Sequence, residues 1–249
     1  MSPGNTHIYF ASDFHLGVPD YGSSLAREKK IVAWLDHISI NASEVYLMGD
    51  LFDFWFEHRY TAPKGFVRLL GKLAQMSDNG IKIHLFTGNH DMWMFGYLQQ
   101  EINAEIHYGP VTKEYNGKKF YLAHGDGLGP GDYSYKFIKK IFSNPFFQWL
   151  YARVHPNFAF GLANYLSRQS RKSNYEADAK YLGDDKEWLF QYCVELLKKE
   201  HYDYMVFGHR HMVLDKKIGN SRYINLGDWI KDFSYGYFNG TDFELKAWK

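Results

Sequence analysis

Five short apolar runs, HIYFAS, EVYLM, IKIHLFT, KKFYLA and YDYMVF, each end in a cluster of side chains able to ligate a metal. The clusters are Asp13-Phe14-His15, Gly49-Asp50-Leu51-Phe52-Asp53, Gly88-Asn89-His90-Asp91, Ala123-His124-Gly125-Asp126 and Gly208-His209-Arg210-His211. The runs have the length and β-rich composition of strands, so each cluster sits at a strand end. Ligands spread this widely along a chain become one site when their strands deliver them to the carboxyl edge of a sheet. That requirement constrains the fold more than any other feature.

The connecting segments agree with it. Ser23 to Ser39 has helical periodicity, with Leu25, Ile31, Val32 and Leu35 on one face, and Phe66 to Met76 reads as a second helix. Strands at His7–Ser12, Glu44–Met48 and Ile81–Thr87 then give a β-α-β-α-β order, which predicts a sheet with helices packed on it. After the short helix MFGYLQQEI and a strand at Ala104–Tyr108, Asn116-Gly117 marks a type I′ hairpin between Val111–Tyr115 and Lys118–Ala123. The carboxyl third adds a strand at Tyr202–Phe207, a hairpin through Gly219-Asn220 and a final pair around Asn239-Gly240. Two half-sheets feeding one site suit an α/β fold of four layers, an α/β/β/α sandwich. The whole chain, 1–249, is expected to be one domain.

Residues 127–187 break the pattern. A glycine-rich exit (Gly127, Gly129, Pro130, Gly131) leads into short helical pieces without strands, dense in aromatics and ending in positive charge, and this segment is expected to be a helical cap insertion. Its large apolar residues, Phe146, Phe147, Trp149, Leu150, Phe158 and Phe160, either bury against the main domain or face acyl chains or a membrane. Lys136, Lys139, Lys140 and Arg153 would suit lipid headgroups.

A formal net charge of +1 gives no global attraction to nucleic acid or an anionic membrane. The lone Cys193, in a helical stretch, excludes an intrachain disulfide framework. The amino terminus lacks the basic and long apolar regions of a signal peptide, and no apolar run approaches the ~20 residues that span a bilayer. The expectation is a cytoplasmic protein, peripheral at most on a membrane.

Two divalent cations about 3.5–4 Å apart need a bridge and mixed oxygen and nitrogen donors. A carboxylate bridges naturally because each oxygen can bind one metal, and Asp50, in the middle cluster, is the candidate. Asp13, His15 and His211 complete one metal; Asn89, His124 and His209 complete the other. This donor set suits Mn²⁺, Fe²⁺ or Zn²⁺. Such a pair activates water in line with a phosphorus atom, and His90 can donate a proton or hydrogen bond to the phosphate or leaving group. Asp91 or Asp53 would orient a neighbouring histidine.

Together these clusters resemble the calcineurin-like metallophosphoesterase pattern, which implies the four-layer sandwich and a dinuclear hydrolytic site. Within that superfamily the opening SDFHLG, the stretch HGDGLGPGDYSYK and the insertion from FSNPFFQWLYARV are similar to the UDP-2,3-diacylglucosamine diphosphatases of bacterial lipid A synthesis. That likeness implies Mn²⁺, attack at the α-phosphorus, and release of UMP and 2,3-diacylglucosamine 1-phosphate at the cytoplasmic face of the inner membrane. It also implies substrate contacts at Asp132 and Tyr135, and Ser170, Arg171 and Lys172 are suitable phosphate contacts. Where that group commonly carries arginine, this chain has His90. The alternatives are a hydrolase of a soluble nucleotide or another phosphoester, and a non-enzymatic binding scaffold; the second is disfavoured because no expected ligand is missing. A near-neutral charge argues against a long nucleic-acid track.

Overall fold

The computed structural model describes residues 6–131, 133–163, 165–167, 181 and 183–249. Strands β1 (Ile8–Ala11), β2 (Glu44–Leu47), β3 (Lys82–Phe86) and β4 (Glu105–His107) run parallel in one sheet. Strands β10 (Ser234–Phe238) and β11 (Phe243–Ala247) complete it in the order β11-β10-β1-β2-β3-β4. The second sheet has the order β5-β6-β7-β9-β8, built from β5 (Val111–Tyr115), β6 (Lys118–Ala123), β7 (Tyr204–Phe207), β8 (Val213–Ile218) and β9 (Ser221–Leu226). The turn signal at Asn239-Gly240 locates the final hairpin in the chain but not its partner: it returns to the first sheet, with β10 antiparallel to β1.

Period-two alternation sorts the side chains into layers. On β1, Ile8 and Phe10 face the second sheet, while Tyr9 and Ala11 face helices. The inter-sheet core joins them to Tyr46, Met48, Phe86, Phe120, Leu122 and Val206. Helices α1 (Tyr21–Ile38), α2 (Val67–Asp78) and α3 (Tyr97–Ile102) cover the first sheet through Trp34, Leu35, Leu73 and Leu98. Helix α6 (Trp188–Leu197) covers the second through Leu189 and the fully buried Cys193. The layers are therefore α/β/β/α.

Local chemistry fixes the boundaries. Helix α1 begins two residues earlier than its periodicity predicts because the Asp20 side chain accepts the Ser23 N–H at 3.0 Å. Helix α2 has no cap of its own. Glu28, buried on α1, accepts the Arg68 and Leu69 N–H groups at 2.9 and 3.1 Å and so docks the two helices. The β5–β6 turn has positive φ at Asn116 and Gly117, as a type I′ hairpin requires. Between β6 and α6 the described residues form helices α4 (Tyr133–Phe142) and α5 (Pro145–Tyr151) and a further helical stretch over 156–163.

Phe120 sits at the middle of the inter-sheet core, with ring contacts to Phe10, Tyr204 and Phe238. Replacing it with alanine removes a fully buried ring, and Phe120→Ala should cost about 3–5 kcal/mol of stability in a denaturant titration. A loss below about 1 kcal/mol would contradict this packing.

Candidate dinuclear metal centre

The five strands that end in ligand clusters are β1, β2 and β3 in one sheet and β6 and β7 in the other, each set parallel and adjacent. Their carboxyl ends meet at one edge of the sandwich. Pairing continues past the strands: Asp13 N–H donates to the Gly49 carbonyl, His15 N–H to Asp50 and Gly208 N–H to His124. The loops are thereby held in register with one another.

The backbone there is strained. Asp13, His15, Asp50, His209 and His211 all have positive φ, between 44° and 69°. For non-glycine residues that conformation costs on the order of 1–3 kcal/mol each and persists only where the surroundings impose it. Several buried groups do so. Arg27 on α1 donates to the carbonyls of Phe14, His15 and Val18 at 3.0, 2.7 and 2.8 Å. Asn225 on β9 donates to the Gly208 carbonyl at 2.6 Å. Close approach dictates the glycine that precedes Asp50: a Cβ on Gly49 would lie 2.6 Å from His124 Nδ1.

Two donor sets result. Asp13 Oδ1 lies 3.6 Å from His15 Nε2 and 3.7 Å from His211 Nε2. Asn89 Oδ1 lies 3.3 Å from His124 Nε2 and 2.9 Å from His209 Nδ1. Asp50 Oδ2 stands between them, 3.8 Å from His15 Nε2 and 3.4 Å from His124 Nε2. This revises the expected bridge, one metal per oxygen. Oδ1 accepts the His90 N–H at 2.9 Å, so a single oxygen, Oδ2, faces both sets.

The donors fit divalent cations. Asp13 Oδ1 is buried and accepts no hydrogen bond from the described residues, an arrangement that is costly without a cation. Ligand bonds near 2.0–2.2 Å put neighbouring donors about 3–3.6 Å apart, close to the separations within each set. The imidazoles are also turned for ligation. His124 Nδ1 meets the Met48 carbonyl at 2.8 Å, His211 Nδ1 lies 3.5 Å from Asp228 Oδ2 and His15 Nδ1 lies 3.8 Å from Asp53 Oδ1, which presents Nε2 of each to the centre.

Electrostatics follow the same plan. Burial pulls the His124 imidazole down, but the Asp50 charge and hydrogen bond outweigh it and hold it up at about 10. Burial and the neighbouring His124 charge pull His209 down to about 3, leaving it neutral. Burial pushes Asp50 up, yet His124 and His90 hold its carboxyl well below the usual range. Burial keeps Asp13 above that range despite His211 and His124.

Of the two carboxylates expected to orient a histidine, Asp53 lies within reach: Oδ1 is 3.8 Å from His15 Nδ1 and 3.7 Å from His90 Nδ1. Asp91 is a correction. Its Oδ1 accepts from Gly88 and Asp50 N–H and its Oδ2 from Leu51 and Phe52 N–H, so it splints two ligand loops together instead of orienting a histidine. Burial and the Asp50 charge push its carboxyl up to about 7, against the pull of those N–H donors. Sequence reasoning missed Asp228, although YINLGD repeats the pattern of an apolar run followed by Gly-Asp. It also missed Arg27, whose helical setting hides its role. Of the expected substrate contacts, Asp132, Ser170, Arg171 and Lys172 lie outside the described residues. The Tyr135 hydroxyl donates to Asp126, which Lys139 also contacts at 2.6 Å.

A parallel-strand edge carrying two histidine–carboxylate sets defines a metal-dependent phosphoesterase, and the chain belongs to the calcineurin-like phosphoesterase family, whose profile matches residues 6–213. Members of that family use divalent metals. Among similar proteins is the UDP-2,3-diacylglucosamine hydrolase of Porphyromonas gingivalis, 40% identical, with 96% of this chain and 97% of that protein covered. A protein of the same name from Tolumonas auensis is 25% identical, with 95% and 94% covered. The solved phosphoesterase Yfce from E. coli, 15% identical, covers 98% of this chain and 94% of its own with a TM-score of 0.50, a likeness of fold alone.

In the metal-free protein the His124 proton contributes stability that is full below about pH 6.5 and is lost as pH rises through about 10. Metal uptake must displace that proton. Titrating Mn²⁺ into metal-free protein at pH 8 should release a proton, giving calorimetric heats that differ between buffers of different ionisation enthalpy. Identical heats in both buffers would contradict the His124 assignment.

Proposed function

We propose that the protein hydrolyses the diphosphate of UDP-2,3-diacylglucosamine at the α-phosphorus, giving UMP and 2,3-diacylglucosamine 1-phosphate. The observation that carries this reading is the near-full-length identity to the Porphyromonas gingivalis protein of that name. Coverage of 96% runs through most of residues 127–187, the segment we read as a cap, where selectivity for a lipid-linked sugar would reside.

Asp13, His15 and His211 would hold one cation, Asn89, His124 and His209 the other, and Asp50 both. Bound there, two divalent ions (Mn²⁺ first, with Fe²⁺ and Zn²⁺ as alternatives) neutralise phosphoryl oxygens and lower the pKa of water toward neutrality. The chain's own groups do the rest. His90 is partly exposed at the rim, with Nδ1 3.1 Å from the Asp53 carbonyl and 3.2 Å from Ser167 Oγ. With Nδ1–H held by that carbonyl, Nε2 is an acceptor in the neutral ring; as the imidazolium both nitrogens carry protons and Nε2 donates to a phosphate oxygen or the leaving group. Ser167 also donates to Asp53 Oδ2 at 2.8 Å, so the 127–187 segment reaches the catalytic edge. Substrate contacts at Asp132, Tyr135, Ser170, Arg171 and Lys172 remain part of the proposal.

The aromatic surface supports a lipid-bearing substrate. Phe54 and Phe56 of the main domain pack against Tyr151, and Phe54 also against Phe160, which anchors the helices. Phe137, Phe146, Phe158 and Trp149 nevertheless stay exposed, between 53% and 66%. Such rings, with Arg153 over Trp149 at 4.8 Å and Lys136 and Lys140 on the same helix as Phe137, suit acyl chains or the cytoplasmic face of a membrane. No helix among the described residues is long and apolar enough to cross a membrane.

The test is hydrolysis with Mn²⁺ of UDP-2,3-diacylglucosamine, deacylated UDP-glucosamine and bis-p-nitrophenyl phosphate. Release of UMP with strong preference for the acylated substrate is expected. Turnover of the simple diester alone would retain the metal centre and discard the lipid assignment.

A further inference from the structure

Away from the dinuclear centre, β3 and β4 bring together His84, Glu105 and His107. The strands are parallel, with His84 opposite Glu105 and Phe86 opposite His107. Register partners, and residues two apart on one strand, share a face of the sheet. All three side chains therefore project from one face. It is the face between the sheets, because Tyr46, opposite His84 on β2, belongs to the inter-sheet core.

His84 Nδ1 lies 3.2 Å from His107 Nε2 and 3.1 Å from Glu105 Oε2, and His107 Nε2 lies 3.6 Å from Glu105 Oε1. Ligand bonds of about 2.0–2.2 Å set tetrahedral corners about 3.3–3.6 Å apart, so two imidazole nitrogens and one or other Glu105 oxygen lie close to the spacing of a His₂Glu site. The atoms behind them strengthen the case. His84 Nε2 is 3.1 Å from Glu44 Oε2, and the same oxygen accepts the Tyr115 hydroxyl at 2.6 Å and the Tyr46 hydroxyl at 3.1 Å. A carboxylate fixed in this way keeps the His84 proton on Nε2 and turns the Nδ1 lone pair toward His107 and Glu105. Carboxylates stand behind metal-bound imidazoles in this manner. Burial opposes ionisation of Glu44, but hydrogen bonds from His84 and Tyr115 hold its carboxyl at about 2. Burial pulls His107 down to about 4, so that ring is neutral.

We propose that His84, Glu105 and His107 form an additional divalent-cation site, of the nitrogen–oxygen type that suits Zn²⁺, clamping the edge strand β4 to β3. The two imidazoles are buried, while the Glu105 side chain is 55% exposed and gives the ion its entry. Lys82, 3.5 Å from Glu44, and Lys113, 3.4 Å from Glu105, are the cations now facing these carboxylates; an incoming ion displaces Lys113 from Glu105. The site stands on its own geometry and does not depend on the substrate proposed above.

The test counts zinc. Wild-type protein, Glu105→Gln and His107→Ala are dialysed against Zn²⁺ and their bound metal is measured by mass spectrometry. The wild type is expected to hold one equivalent per chain more than either variant. Glu105→Gln lies at an exposed position, so the comparison stands even where His107→Ala fails to fold. Equal zinc in wild type and Glu105→Gln overturns the site and leaves a hydrogen-bonded network. Loss of two or more equivalents overturns its independence from the dinuclear centre.

Discussion

The structure depends on the position of one buried oxygen, Asp50 Oδ2, between two sets of donors that would otherwise repel or stand unpaired. Asp13 and Asp50 are carboxylates in a water-poor edge of the sandwich, where isolated charge is costly. Imidazoles from both sheets meet them, and in the metal-free protein His124 carries the compensating proton. A pair of cations would discharge the same debt more completely. The left-handed turns at five of the seven proposed ligands, the Arg27 brace and the Asp91 splint all keep that oxygen where both sets reach it.

The two-sheet architecture follows from the same requirement. Three ligand loops come from parallel β1, β2 and β3 and two from parallel β6 and β7, so the site straddles the seam between sheets. Aromatic packing around Phe10 and Phe120 sets the spacing of that seam. Helix α6 continues the link: Glu187, at its start, makes a buried ion pair with Arg210, the residue between His209 and His211. The segment that leads from the proposed cap into α6 is thus tied directly to a ligand loop.

Much of this was legible in the residues because it is local. Apolar runs ending in Gly-Asp, Gly-Asn-His or Gly-His-x-His mark strand ends by period and punctuation, and Asn116-Gly117 specifies its turn without help from the rest of the chain. What could not be read depends on approach in space. Asp53 and Asp91 look equivalent in sequence, yet one faces two histidines and the other four backbone N–H groups. Arg27 looks like an ordinary surface residue of a helix, and Asp228 enters only because β9 runs beside β7. The joining of the last hairpin to β1 is likewise a contact between distant segments that no local signal encodes.

The most direct test of the central claim is an anomalous difference map from crystals loaded with Mn²⁺. Two peaks about 3.5–4 Å apart are expected, one among Asp13, His15 and His211, the other among Asn89, His124 and His209, with Asp50 Oδ2 touching both. A single peak, or two peaks with Asp50 bound to one alone, would contradict the account.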